Sequence, residues 1–597
     1  MARYIGDRVS QKGNKMKKFL AIILALAMIL SITACGGNET TTTEPGSSTS
    51  APAASGSAST GTESTGSSFS DGFPDNYLRY LNSEDPSTLD VQLTTGDYMV
   101  PLNIYDTLVE STCDEQGNAS ISPALAESWT VSDDGLTYTF KLREGVKFHN
   151  GEELKASDVE YTVYRMMDPE RDCVNDDVYD MIVGASEYLD GEVSSIEGVK
   201  VIDDYTISYT LEQPFAPFLS NLAVPGGAIY NKKACDAADE AAGGVKTDSK
   251  FGVEPEYTIG TGPFYVTEWV TNDHITLVRN ENYWKDSVPE YAAESNVGGI
   301  VLFTIGDSAT MKMMFDNGDI DVFDLDNARE AIGTYRADST YASQVVETTR
   351  LGTYYYCLNE LVPGLDNPLV RKAIQRGIDR QALLDSLYYG TGVVANSILA
   401  PGVVGYTQLP EIKYDVAEAQ ALMTEAGYSE SNPLHLEIAQ SSTASSTTLN
   451  INEAVQQMLK EIYIDAEITQ VDDATWSSVR AAGDMDMYQT SWSADFNDPD
   501  NFIYTFFSHS NSKSRGFNYD NEAVMDKVEE ARFMTDTDAR LALYSEIEEE
   551  IVTEDACWVP LFHLQHVFVL STRVKPETFT PNWAGWSSMC FYTLSFK

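Results

Sequence analysis

The chain has 597 residues, with 91 Asp and Glu against 39 Lys and Arg and a formal net charge of −52. That length exceeds the size at which one hydrophobic core keeps growing, so two or three domains are expected. The acidic excess argues against nucleic acid as a partner, because phosphates are held by Lys and Arg, and it predicts repulsion from an anionic membrane surface.

The N-terminal part reads as an address. Met16-Lys17-Lys18 precedes an almost wholly apolar run at residues 19–32. A short basic segment followed by such a run is a secretory signal, too short for a comfortable membrane span. Translation is expected to start at Met16, and the signal to occupy residues 1–34. The run ends Ile32-Thr33-Ala34-Cys35-Gly36-Gly37, which resembles the bacterial lipobox. That resemblance implies cleavage before Cys35 and transfer of a diacylglycerol to its thiol. Several acyl chains hold a protein to a bilayer durably. Residues 35–73 are then the lipidated cysteine and a tether of Ser, Thr, Gly, Ala and Pro. No later stretch approaches the length of apolar sequence that a span needs. The other six cysteines contain no Cys-x-x-Cys pair, which leaves zinc ribbons and thioredoxin-type sites unsupported; sequence alone gives no disulfide connectivity.

Residues 77–81 read as the first strand. Val131 and residues 137–142 flank Asp133-Asp134-Gly135 and form a hairpin, since Asp-Gly between alternating apolar runs suits a tight turn. A helix opens near Lys155, with Ser157 or Asp158 as candidate N-cap. Val370, Ile374 and Ile378 recur at fourth-residue spacing and predict the buried face of another helix. Asp415 and Glu418 form a capping-box-like start, Ala417, Leu422 and Ala426 suggest the buried stripe, and Gly427 falls just past the end. Asp536 is expected to restart a helix within residues 523–553. Helices alternate with strands at residues 434–438 and 465–468, which implies mainly parallel α/β sheets with clefts at their strand ends. Residues 485–492 alternate as a strand does and run into the Asp, Asn and Pro of residues 495–501, so Trp492 and Asp495 sit where a strand gives way to a loop. A carboxylate beside an indole suits an ammonium group, whose charge pairs with the one and favours the face of the other.

No Walker loop, no Gly-x-Ser-x-Gly elbow and no His-Glu-x-x-His helix occurs, so neither a catalytic set nor a cofactor is predicted. His563 and His566 stand three apart in an apolar, extended run and should point to opposite faces, which disfavours a shared metal.

Five blocks, in order, carry a resemblance to a known family. They are Leu125-Ala126-Glu127-Ser128-Trp129 through Val159; Gly260-Thr261-Gly262-Pro263-Phe264 with Asn282-Tyr283-Trp284; Asn367-Pro368-Leu369 through Ile378-Asp379-Arg380; Ala417 through Gly427-Tyr428; and Asp498-Pro499-Asp500-Asn501-Phe502. Together they resemble the peptide/nickel-type (cluster C, family 5) extracytoplasmic solute-binding proteins of ABC importers, over nearly everything after the tether. The resemblance implies an α/β, periplasmic-binding-protein-like two-lobe fold (type II, cluster C) with an extra inserted domain. Domain I is expected at 74–114, 225–325 and 552–597, the inserted domain II at 115–224 and domain III at 326–551.

It also implies roles position by position. Asp495 matches the Asp that holds a peptide's ammonium in oligopeptide binders, and Trp492 the Trp that lines a side-chain pocket. Tyr355 matches a strand tyrosine that contacts ligand, with Tyr354 and Tyr356 facing core. Trp476 resembles another pocket Trp, while Gly96 and Asp97 lie where the first domain meets the peptide backbone. Some relatives place an Arg before the Trp motif for the peptide's carboxylate; Gln489 occupies that position here, and Arg480 is the candidate substitute. The expected partners are a peptide, the permease subunits and a membrane reached through lipid, for a monomeric, non-enzymatic protein that is lipid-anchored on the outer face of the cell membrane. An oligosaccharide or metal chelate in the same fold, or a peptide-sensing receptor, stands as the alternative; a surface hydrolase lacks a visible nucleophile and base.

Overall fold

The structure is a computed structural model that describes residues 72–113, 119–580 and 589–597. The expected signal, Cys35 and nearly all of the tether lie outside those residues. Everything described belongs to the unit Phe69–Lys597. Among the described residues no helix is long and apolar enough to cross a membrane.

The first lobe is built on a four-stranded sheet in the order Tyr77–Asn82, Gly299–Thr304, His274–Arg279, Phe264–Val270. Leu78, Tyr80, Ile300, Leu302 and Leu277 fill the core beneath it. A three-stranded sheet adjoins it, in which Gln565–Leu570 lies between Val322–Asp324 and Val345–Thr349. The inserted domain carries an antiparallel sheet of Ala126–Val131, Thr137–Leu142, Thr206–Thr210 and Val199–Asp203. Its first two strands form the expected hairpin, with Gly135 at φ +72°, a conformation that costs glycine little.

The second lobe holds a six-stranded sheet in the order Val393–Val394, Trp558–His563, Gly352–Leu358, Met487–Ser493, Leu434–Ser441, Ile464–Val471. Alternation along its strands feeds two cores. Tyr355, Cys357 and Tyr488 face one, and Tyr356, Leu358, Met487 and Ile438 face the other. Val370, Ile374 and Ile378 are all fully buried against that second face, as their spacing predicts.

Strand pairing corrects several expectations. The sheets are mixed: Tyr77–Asn82 with Gly299–Thr304, and Leu434–Ser441 with both its neighbours, run parallel, whereas the other pairs are antiparallel. Val345–Thr349 pairs with Gln565–Leu570 of the first lobe, and Trp558–His563 lies inside the sheet of the second. The chain thus passes between the sheets of the two lobes at 350–351 and at Leu564. The helix Ala156–Met166 starts before either expected cap, by two or three residues: Lys155 is the N-cap, and Asp158 reaches back to its backbone N–H at 3.0 Å. In the helix Val416–Glu425, Asp415 accepts from Glu418 N at 2.9 Å as its spacing predicts, but Ala419 and Met423 are the buried residues and Ala417 is exposed. Asp536 caps Thr537–Glu549 by accepting from Ala539 N. Cys173, Cys235, Cys357, Cys557 and Cys590 are free thiols.

Candidate functional site

The strand Met487–Ser493 ends against the passage between the lobes. Ala494 N donates to the carbonyl of Leu351 at 2.7 Å, and Arg350 Nε donates to Ser493 Oγ at 3.3 Å. Gly352 permits this approach, because a Cβ there would lie 2.8 Å from Ser493 Oγ and 2.9 Å from the carbonyl oxygen of Trp492. The loop carrying Asp495 is thus fixed to the place where the lobes join.

Most polar groups in the acidic stretch that follows are consumed by structure. Asn497 donates to the Gly402 carbonyl and accepts from Val404 N. Asp498 holds Arg540 through two bonds of 2.9 and 2.6 Å. Asp500 accepts from Tyr544 and lies 3.7 Å from Arg532. Asn501 is the organiser: its Oδ1 accepts from Trp492 Nε1 at 3.1 Å and from Asp495 N at 3.0 Å, while its Nδ2 donates to Asp495 Oδ2 at 3.1 Å.

Asp495 itself remains exposed, with no Lys or Arg within ion-pair distance among the described residues. It borders a cavity of about 930 Å³ whose walls also include Tyr105, Val224 and Tyr592 of the first lobe and Thr349 and Pro401 near the passage. That volume suits a small organic ligand. Enclosure by these walls raises the Asp495 carboxyl above the ordinary carboxylate value; the hydrogen bond from Asn501 and the more distant charge of Arg515 oppose the rise. Two groups of the first lobe feel the charge of Asp495. Tyr98 is pushed up to about 12, mainly by burial, with Asp495, Asp177 and Asp97 adding to it. Asp177 is pushed up to about 6, by burial first, then by Asp176 and Asp495. Asp177 of the first lobe and Asp495 of the second thus lie close enough to repel one another.

The predicted site residues fall into groups. Trp492 is half-buried, packed edge-on against Phe506 at 5.3 Å, and shares the Asn501 amide with Asp495. Trp476 is half-buried on the same face of the sheet, edge-on to Tyr488 at 5.6 Å, and Arg480 follows on its helix, donating from Nε to the Ser514 carbonyl at 3.1 Å. Gly96 and Asp97 lie on a first-lobe loop, where Asp97 is exposed at φ +60°. Two residues lie elsewhere than expected. Tyr355 does turn to the face opposite Tyr354 and Tyr356, but it is 2 % exposed, stacked on Trp558 at 3.6 Å and edge-on to Phe506 at 5.7 Å, so its ring is covered by the core. Gln489 pairs with Tyr356 and so shares its face, the one opposite Trp492; three residues along a strand reverse the direction of a side chain. His563 bonds Thr353 and His566 lies beside Asp326, in strands of different sheets.

Asn501, Arg515, Asp177 and Tyr98 were not singled out from sequence. Asn501 stood inside the quoted Asp-Pro-Asp-Asn-Phe block, which was its available signal. The others reach the site through tertiary packing and carry no local pattern.

Comparison with known proteins agrees with this architecture. A model of the bacterial extracellular solute-binding proteins, family 5 (Middle), matches residues 120–514. Heme-binding protein A of Haemophilus influenzae is 29% identical over 80% of this chain and 85% of its own length. Di/tripeptide-binding protein 2 of Pseudomonas aeruginosa is 29% identical over 75% and 82%. The periplasmic binding protein DppA of Helicobacter pylori, solved in complex with the peptide STSA, superposes with a TM-score of 0.66 at 28% identity, covering 87% of this chain and 98% of its own. The chain belongs to family 5 of the bacterial extracellular solute-binding proteins, the two-lobe, non-enzymatic substrate receptors of ABC importers.

Proposed function

We propose that the protein is a lipid-anchored receptor that closes on a peptide and passes it, as a monomer, to a membrane permease. One observation carries the peptide reading: Asp495 is held at the edge of an interlobe cavity, without a counter-charge at ion-pair distance among the described residues, by an amide that also fixes Trp492. A carboxylate so placed attracts a cation, and a primary ammonium beside an indole supplies one. An uncharged oligosaccharide would leave it unpaired. The names of the di/tripeptide-binding relative and the peptide-bound neighbour support the same class. The anchor rests on the lipobox-like run ending at Cys35.

Native mass spectrometry of the protein as purified from its host tests this. The expected result is a set of bound peptides with free amino termini, together with an N-terminal Cys35 bearing acyl chains. Bound solutes lacking an amine would refute the peptide reading, and an unacylated mature terminus the anchor.

A further inference from the structure

The two connections between the lobes lie side by side. Thr349 pairs with Gln565 and Thr348 with His566, so residues 350–351 and Leu564 leave the first lobe as neighbours. A charged cluster sits where they leave. Asp324 ends a strand of the same sheet, and its Oδ1 accepts from Asp326 N at 2.9 Å. Asp326 Oδ2 lies 3.3 Å from Nδ1 of His566, which is 1 % exposed, and its Oδ1 lies 2.7 Å from Arg329 Nη2. Tyr80 faces the cluster from the adjoining sheet, its phenol raised by burial and then by Asp324. Glu347, the other acid on these three strands, pairs with Val567 on the opposite face and accepts two bonds from Arg336.

Two arginines carry this cluster to the second lobe. Arg329 Nη1 donates to Thr391 Oγ1 at 3.2 Å, and its guanidinium carbon lies 5.0 Å from the centre of the Tyr388 ring. Thr391 is fully buried and donates onward to the Tyr388 carbonyl at 2.6 Å. Gly392, at φ +104°, would place a Cβ 2.4 Å from the His563 carbonyl oxygen, so this loop lies directly on the second connection. Arg350 stands on the first connection, and its Nε donates to Ser493 Oγ, two residues before Asp495.

The acids compete with the second lobe for these arginines. Burial raises Asp326, but its hydrogen bond with His566 and the charges of Arg329 and Arg350 outweigh that and hold it below the ordinary carboxylate value. Asp324 is pushed up to about 7, by burial first and then by Asp326, with Arg329 and Arg350 opposing. The pair thus carries one negative charge in acid and two in alkali. A carboxylate attracts a nearby guanidinium more strongly than a hydroxyl does.

We infer that Asp324 and Asp326, with Arg329 and Arg350, form a proton-linked latch on the hinge. With one negative charge on the pair, the arginines reach across to Thr391, Tyr388 and Ser493 and hold the lobes together. With two, they are drawn back to the first lobe and the lobes part. The latch acts on the empty protein, whatever solute the cleft takes.

The test is energy transfer between dyes on exposed Glu84 of the first lobe and exposed Lys460 of the second, in the full ligand-free chain, from acid to alkaline pH. The proteins are wild type, Asp324→Asn, the double variant Arg329→Gln with Arg350→Gln, and Asp177→Asn, each checked for a cooperative melting transition. In wild type, transfer should fall with a midpoint near pH 7. The open-to-closed ratio should rise by up to about tenfold for each unit by which the Asp324 value differs between the two states. Asp324→Asn, which fixes the pair at one charge, should stay closed throughout. The double variant should be open already in acid. Asp177 is the control, because it faces Asp495 across the cleft and is pushed up to about 6, by burial first and then by Asp176 and Asp495. Asp177→Asn should keep the transition. A wild type that ignores pH or closes as pH rises overturns the latch, as does a response that survives in Asp324→Asn. So does a double variant that behaves as wild type, or a response lost in Asp177→Asn, which would place the switch in the cleft. No ligand is added, so failure here leaves the peptide reading standing.

Discussion

Asn501 Nδ2 donates to Asp495 Oδ2 at 3.1 Å, and this one side chain sets the direction in which the acid faces the cavity. The same amide accepts from Trp492, so charge and indole move as a unit. Replacing Asn501 with Ala leaves Trp492 Nε1 and Asp495 N without their acceptor in a largely buried loop, at a cost of about 1–3 kcal/mol. The variant is expected to melt at lower temperature and to lose affinity for trialanine although Asp495 is intact; thermal melts and titration calorimetry check both.

Asp495 opposes stability in the empty protein. Its folded carboxyl lies above the ordinary value, so over the window upward from that value the native state binds more protons than the unfolded chain, and stability falls as pH rises through it. Asp495→Asn should therefore raise the melting temperature of ligand-free protein at neutral pH, with the gain vanishing at acid pH. A melting series from acid to neutral pH reads this directly.

Glu548 provides a second pH dependence, away from the site. It is fully buried; its Oε1 accepts from Ile398 N and Leu399 N at 2.7 Å each, and its Oε2 has no partner among the described residues. Burial pushes it from 4.5 to about 7. The folded value is the higher one, so stability is full below 4.5 and declines as pH rises towards 7, by roughly 3 kcal/mol at most. Glu548→Gln keeps the accepting oxygen and should flatten urea-denaturation stability across that range.

Asp498 and Arg540 are paired inside the second lobe, both nearly inaccessible. Arg540→Met leaves a buried carboxylate unpaired and should destabilise by about 3–5 kcal/mol, whereas removing both charges should cost much less. Urea unfolding of the single and double variants distinguishes the outcomes.

The sequence carried its clearest signals where structure is local. The Asp-Gly hairpin, the Asp415 and Asp536 caps and the Val370, Ile374, Ile378 face each depend on residues within one or two turns, and each is present. The same reading erred where distant packing decides. Ala417 and Ala419 differ by two positions on one helix, and only its neighbours determine which is covered. The place of Val345–Thr349 follows from its pairing with a strand more than 200 residues later, which no window shows. At the site, alternation correctly turned Tyr355 away from Tyr354 and Tyr356, but it could not reveal Trp558 covering the ring. Arg515 reaches Trp492 through the loop after the helix Asp500–Phe507, and nothing in its immediate sequence marks it.

The central claim is that Asp495 receives the ligand's ammonium. Calorimetry of wild type and Asp495→Ala with trialanine and N-acetyl-trialanine tests it most directly. The account predicts tight binding of the free amine by wild type, weak binding of the acetylated form, and loss of that discrimination in Asp495→Ala. Equal affinity of wild type and Asp495→Ala for the free-amine peptide would contradict it.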